Sequence, residues 1–228
     1  MTMQYEQISP AIFLARPNRF IAHVLLNGAE TVCHVKNTGR CRELLVPGAA
    51  VYVQHSDSSA RKTAYDLIAV EKNGRLINMD AAAPNAVFGE YLAAGGLGFV
   101  PAWIKAEQRH GASRFDFSFG REGRSCFAEV KGVTLEENGV VRFPDAPTQR
   151  GVKHLHGLID CVREGLEAWV VFIVQMRDVR YFEPNRATHP EFARALCEAR
   201  EAGVHILALD CAVTPDSLRV HAPVEIRL

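Results

Sequence analysis

The stretch Arg114-Phe115-Asp116-Phe117-Ser118-Phe119, followed by Gly120-Arg121-Glu122-Gly123-Arg124 and Ser125-Cys126-Phe127-Ala128-Glu129-Val130-Lys131, decides how the larger part of this chain is read. Two runs of strand-like residues flank a Glu-Gly turn, the pattern of a β-hairpin. Side chains alternate across a strand, so Phe115, Phe117 and Phe119 are expected on one face and Asp116 and Ser118 on the other; Glu129 and Lys131 likewise share a face of the next strand. A hairpin centred on Glu122-Gly123 sets Asp116 directly opposite Glu129. Cβ atoms so paired lie ~4.5–5.5 Å apart, where like charges are destabilising unless something compensates them. A divalent cation does so: two carboxylates supply hard oxygen ligands with room for water, as Mg²⁺ (or Mn²⁺) prefers, and Lys131 adds positive charge beside a nucleophilic water or a scissile phosphate. The competing reading is a half-solvated hairpin on which Asp116 and Glu129 are exposed polar positions and Lys131 neutralises one of them. Two features favour the metal site: the aromatic face that anchors the register, and the insertion of Glu129 and Lys131 into the otherwise apolar run 126–133.

Outward from the hairpin, helical and strand periods alternate. Residues 85–94 read as a helix with Pro84 in its first turn and Gly95-Gly96 ending it. Strand-like runs follow at 103–109, 113–119 and 125–135. The segment 149–163 is amphipathic, with Val152, Leu155, Leu158, Ile159 and Val162 on one face, opened by Pro147-Thr148 and closed by Gly165. Residues 169–175 and 204–213 read as buried strands around a second amphipathic helix, 191–202. This order predicts an α/β domain with helices packed on a mixed sheet.

The first eighty residues differ in style. Short runs at 19–26, 31–36, 50–55, 64–71 and 75–78 are separated by turn signals, of which Asn27-Gly28 and Asn73-Gly74 suit the positive φ of tight hairpin turns. One brief helical stretch, 41–45, stops at Pro47-Gly48. Five strands and a short helix fit an OB-like β-barrel, which periodicity alone does not separate from an SH3-like one. The change of style at Ala81-Ala82-Ala83-Pro84 divides the chain into 1–81 and 82–228, giving a mixed α+β fold.

Composition narrows the function classes. The 228 residues are 48% hydrophobic and 23% charged, which excludes extended disorder and repeat arrays. Lys plus Arg and Asp plus Glu are both 26, so no whole-molecule basic field exists, although residues 1–62 carry a small local excess of positive charge. The six cysteines form no CxxC pair, the opening residues show no signal-peptide pattern, and no apolar run approaches the ~20 residues of a membrane span. A cytoplasmic protein with reduced thiols is expected. Walker, G-x-G-x-x-G, HExxH and G-x-S-x-G motifs are absent, which argues against NTPase, dehydrogenase, metalloprotease and serine-hydrolase chemistry.

An aspartate, a spacer and Glu129-Val130-Lys131 at a strand end, after a helix and before an αβ unit, resemble the PD-(D/E)xK nuclease superfamily. Arg16-Pro17-Asn18-Arg19-Phe20, Asn37-Thr38-Gly39-Arg40, Arg61-Lys62-Thr63-Ala64-Tyr65, residues 114–117, Glu129-Val130-Lys131-Gly132-Val133-Thr134 and Phe143-Pro144-Asp145-Ala146-Pro147-Thr148 more specifically resemble the sugar fermentation stimulation protein A (SfsA) family, from about residue 10 to the C-terminus. The resemblance implies an N-terminal OB-fold, a C-terminal restriction-endonuclease-like domain, sequence-nonspecific DNA binding and a role in regulating sugar (maltose) catabolism. By position it carries the nuclease-like motif onto Asp116, Glu129 and Lys131. A helix acid often completes such sites, and Glu90 is the candidate for a third metal ligand. Phe115 stands where the superfamily has proline, and Gln149 where an acid is expected, which argues against metal binding by that side chain.

Arg150, Lys153 and His154 lie in the first turns of the 149–163 helix, where free N–H groups and the dipole favour phosphate; the alternative is solvated charges on the polar helix face. His154 and His156 diverge at i, i+2 and are not read as a metal pair. In the barrel, Arg16, Arg19, Arg40, Arg61 and Lys62 offer charges for phosphates, and Phe20 and Tyr65 offer rings for stacking, the chemistry of a single-strand-binding surface. The rival to a metal-dependent nuclease is a DNA-binding regulator without turnover; two carboxylates near phosphates lean toward catalysis. No sugar-pocket signal is present.

Overall fold

The structure is a computed structural model that describes residues 3–37, 39–58 and 60–228. Thr38, in the Asn37–Arg40 motif, therefore lies outside the described residues. Strand β1 (Met3–Gln4) is followed by β2 (Ile8–Ala15), β3 (Ile21–Leu26), β4 (Ala29–Val35), β5 (Ala50–His55), β6 (Tyr65–Lys72) and β7 (Arg75–Asn78). Strands β2 to β6 close a five-stranded barrel. β2 pairs antiparallel with β3 and β5, β3 with β4, and β5 with β6, while parallel pairing of β4 with β6 seals the cylinder. That closure is the OB topology expected from the sequence, but one strand differs. The run 75–78 is only a hairpin partner of β6, and the missing barrel strand is β2. Pro10 obscures β2, yet alternation buries Ala11 and Phe13 in the barrel. Residues 41–45 form a single hydrogen-bonded turn rather than a helix, with Leu44 and Leu45 N–H groups on the Cys41 carbonyl. The turns Asn27-Gly28 and Asn73-Gly74 have the predicted positive φ, 51° and 82°, and 53° and 74°.

The rest of the chain contains α1 (Ala83–Ala93), β8 (Ile104–His110), β9 (Ser113–Arg121), β10 (Arg124–Val133), β11 (Leu135–Glu137), β12 (Val140–Phe143), α2 (Gln149–Arg163), β13 (Glu167–Val174), β14 (Tyr181–Pro184), α3 (Pro190–Glu201), β15 (His205–Thr214) and β16 (Ser217–Pro223). A seven-stranded mixed sheet runs β1-β16-β15-β13-β10-β9-β8, with β10, β13 and β15 parallel at its centre. Helix α1 covers one face, and α2 and α3 the other. The apolar cluster beneath α2 and α3 continues into the barrel interior. The small β11-β12-β14 sheet is not among the elements expected from the sequence, although its Asn138-Gly139 hairpin is signalled as plainly as the others. Strand β1 joins not the barrel but the edge of the large sheet, pairing Met3 with Leu218 and Gln4 with Ser217.

Helix α2 matches its predicted span. The Thr148 hydroxyl accepts the Gly151 N–H at 3.0 Å, the cap that opens the helix. Gly157 lets the helix settle on β9, because a Cβ there would stand 2.7 Å from Ser113 Oγ and 3.1 Å from the Phe115 ring. Gly157→Ala is therefore expected to destabilise by about 1–3 kcal/mol through overpacking, although alanine is the better helix former. Urea unfolding would check the sign.

In the barrel, Nη1 and Nη2 of the Arg61 guanidinium grip the buried carboxylate of Asp66, which also faces His34. Burial opposes ionisation of Asp66, but these partners outweigh it and hold its carboxyl below the ordinary range. The unfolded chain then binds more protons between the two pKa values, so this stabilisation is full above the ordinary carboxylate pKa and fades below it. Asp66→Asn should make stability less sensitive to pH below about 4, read as urea midpoints across an acid series.

Candidate metal centre

The two acids of the central hairpin meet as the register requires. β9 and β10 pair from Arg121↔Arg124 to Phe117↔Ala128 around a Glu122-Gly123 turn with φ of 49° and 79°. One step further in that register come Asp116 and Glu129. There the ladder changes character: Asp116 Oδ2 accepts the Val130 N–H at 2.8 Å, so a side chain takes the place of a backbone partner. Asp116 Oδ1 accepts from the Asn85 amide at 3.0 Å. Proline at the start of α1 sets Asn85 on the first turn, facing the strand end.

The expected single aromatic face is not what forms. Phe115 packs with Phe127 and His154 beneath α2, whereas Phe117 packs on Phe88 of α1 and Phe119 on Phe99. Strand β9 turns over at Asp116. Glu107, between the ladder pairs Ala106↔Phe117 and Gln108↔Phe115, has a φ of 53°.

Glu129 is 3% exposed. Its Oε1 receives both the Lys131 ammonium and His154 Nδ1, while Oε2 is buried and has no hydrogen-bond partner among the described residues. Burial resists ionisation of Glu129, but His154 and Lys131 prevail and keep its carboxyl below the usual range. Asp116 goes the other way: burial first, then the charge of Glu129, push its carboxyl up against the Val130 and Asn85 donors. Two acids displaced in opposite directions at one strand end are the kind of arrangement that clusters at functional sites. Among the described residues no group of three or more His, Cys, Asp or Glu could hold a metal ion. Mg²⁺ commonly takes only one or two carboxylates and fills its octahedron with water and phosphate oxygens, so the pair with its orphan oxygen fits such a cation.

The remaining predicted residues divide. Glu90 does not join the site: its carboxylate accepts the Met3 N–H at 3.1 Å, at the β1 edge of the sheet, and the α1 residue that meets Asp116 is Asn85. Arg16 is not a free DNA contact. Its two terminal nitrogens donate to the carbonyls of Arg19, Asn37, Gly39 and Arg40 at 2.7–3.0 Å, and so pin two barrel loops together. Arg61 is committed to Asp66, Lys62 is exposed beside it, and Tyr65 is half-buried with its ring edge-on to His55. These three lie where β5 ends against the start of β2, whereas Arg19 and Arg40 lie by the end of β2, so the basic residues do not share one surface.

Arg19, Arg40 and Arg42 are exposed on the rim of a cleft of about 700 Å³ whose walls include Leu14, Pro17 and Val46. Ala146 closes one side of it. The neighbouring Asp145 accepts the Arg40 N–H at 3.1 Å, so the loop that feeds α2 borders the cleft directly. Arg150 and Lys153 are exposed on the first turns of that helix. His154, beside them in sequence, turns inward. Gly151, His154, Leu155 and Leu158 make one buried i, i+3, i+4, i+7 stripe, and a histidine inside such a stripe was the signal that could have found it.

Among the described residues no helix is long and apolar enough to cross a membrane. The family model described as SfsA N-terminal OB domain matches residues 14–79, and that described as sugar fermentation stimulation protein RE domain matches residues 82–217. The chain is 55% identical over 226 residues to a sugar fermentation stimulation protein homolog of Desulfitobacterium hafniense, covering 99% of each. A homolog from Ruminiclostridium cellulolyticum is 51% identical over 226 residues, 99% of this chain and 100% of the relative. Among solved structures, Pyrococcus furiosus SfsA in complex with Ca²⁺ superposes with a TM-score of 0.89 at 29% identity, covering 100% of both chains.

Proposed function

Since the chain belongs to the sugar fermentation stimulation protein (SfsA) family, we propose that it is a sequence-nonspecific DNA-binding protein whose restriction-endonuclease-like domain carries a phosphodiesterase site dependent on Mg²⁺ or Mn²⁺. The observation that carries this reading is the buried, partnerless Oε2 of Glu129 beside Asp116. The Ca²⁺ complex of the Pyrococcus furiosus protein supports a divalent cation. When bound, such a cation supplies Lewis acidity and an activated water.

The chain's own residues do the rest. Asp116 and Glu129 Oε2 would be its carboxylate ligands, and Asn85 and the Val130 N–H hold Asp116 in place. Lys131, with its ammonium on Glu129 Oε1, keeps a positive charge where the phosphate gains negative charge as water attacks and the leaving oxygen departs. Arg19, Arg40 and Arg42 on the cleft, and Arg150 and Lys153 on α2, bind the backbone through phosphates, which makes affinity salt-dependent.

One observation favours the second reading, a DNA-binding regulator of sugar catabolism without turnover: the Lys131 ammonium is already spent on Glu129. Cleavage of labelled single- and double-stranded DNA by wild type and Asp116→Ala, with Mg²⁺, Mn²⁺ or EDTA, separates the two. Metal-dependent cutting lost in the variant supports the nuclease. Intact gel shifts with no cutting in any condition support the regulator.

A further inference from the structure

His154 sits 6% exposed in the buried stripe of α2, a place where an apolar residue would pack without needing partners. Each of its ring nitrogens is engaged. Nδ1 meets Glu129 Oε1, and Nε2 lies 3.5 Å from Arg150 Nε, an arrangement that places the proton of a neutral ring on Nδ1. The edge of Phe115 packs against the ring, with centroids 6.2 Å apart. Lys131 donates to the same Oε1. Two donors thus converge on one carboxylate oxygen, while the other, itself buried, has none among the described residues. Were His154 present only to satisfy a buried acid, it and Lys131 would do so best by dividing the two oxygens between them, because each unpaired buried oxygen costs desolvation energy.

We propose that His154 is a positioning residue for the cation site, fixing the Glu129 carboxylate by Oε1 so that Oε2 alone is presented to a divalent ion. This rests on the metal-site reading above. Partners that orient a metal ligand typically account for about 10- to 100-fold in metal affinity. The imidazole acts through Glu129 and touches neither cation nor substrate.

The test is Mn²⁺ affinity of the full chain without DNA, by calorimetry, for wild type, His154→Leu and His154→Asn. Leucine fills similar volume without a donor, whereas the asparagine amide nitrogen reproduces the position of Nδ1. The expected result is binding weakened about 10-fold or more in His154→Leu and restored to within about 3-fold of wild type in His154→Asn. Equal Mn²⁺ affinity in wild type and His154→Leu would overturn the role of His154 and leave the metal site standing. Absence of Mn²⁺ binding by wild type would instead remove the metal site itself, and this inference with it. A readout that needs no variant to fold is the ¹⁵N resonance of His154 Nδ1 in the wild-type protein during a Ca²⁺ titration. A saturable shift tracking occupancy is expected, and an unchanged resonance at saturation counts against the proposal.

Discussion

Glu129→Gln is expected to lower metal-dependent DNA cleavage by about 10²-fold or more, corresponding to roughly 3 kcal/mol or more of transition-state stabilisation. The substitution changes few atoms and much chemistry. An amide can still accept from His154 and Lys131 at Oε1, but at the position of the buried, partnerless Oε2 it presents N–H donors to a cation. It also removes the charge that Lys131 neutralises, and leaves Asp116 as the one carboxylate at the strand end. DNA binding should survive or tighten, since a negative charge near phosphates is gone. Single-turnover cleavage with saturating Mn²⁺, beside gel shifts on the same preparation, reads both effects. Undiminished cleavage would mean that Glu129 is no ligand.

Asp80→Ala should produce the largest loss of stability among the polar positions, about 3–5 kcal/mol, because it takes the acceptor from three donors that converge on one buried carboxylate. Asp80 is 1% exposed at the seam between barrel and sheet. Its Oδ2 takes Lys36 from the barrel at 2.5 Å and the Tyr5 hydroxyl at 3.4 Å, and its Oδ1 takes the Ala82 N–H at 2.9 Å. Gln175, at the end of β13, donates to the Asp80 carbonyl and to Asn78, whose amide in turn reaches Tyr5. Removing the carboxylate leaves three donors at this junction without their acceptor. Differential scanning calorimetry should show a fall in Tm of roughly 6–20 °C at about 2–4 °C per kcal/mol for a chain of this size. A fall under a few degrees would show that the seam is held by apolar contact instead.

Local signals carried most of the fold, and the exceptions have physical causes. Turn chemistry at Glu122-Gly123 was enough to fix the register that brings Asp116 and Glu129 together, since a two-residue turn leaves no freedom in pairing. The capping pattern at Thr148 and Gly165 likewise set α2. Strand β2 escaped notice because Pro10 and Ser9 break the apolar run, although a strand may carry proline where no ladder donor is needed. The division of Phe115 from Phe117 depends on a backbone turnover shared between β8 and β9, which no pattern within one strand records.

The candidate site was legible as a pair of acids and a lysine, but the residues packed around it were not. Asn85 and His154 act across 31 and 25 residues of chain, and only the packing of α1 and α2 on opposite faces brings them to the same strand ends. Arg16 shows the opposite failure. Its motif suggested a surface charge, whereas its guanidinium is occupied by four backbone carbonyls.

The pairing of β1 with β16 also governs when the molecule can be finished. β1 waits for β16, made more than two hundred residues later, because Met3 and Gln4 pair with Leu218 and Ser217 and the Tyr5 N–H donates to the Asp216 carbonyl. On the ribosome the barrel can close long before this strap has anything to grip. A fragment cut at the barrel boundary would lack the strap altogether and leave β16 as a bare sheet margin, a template for joining one copy to another.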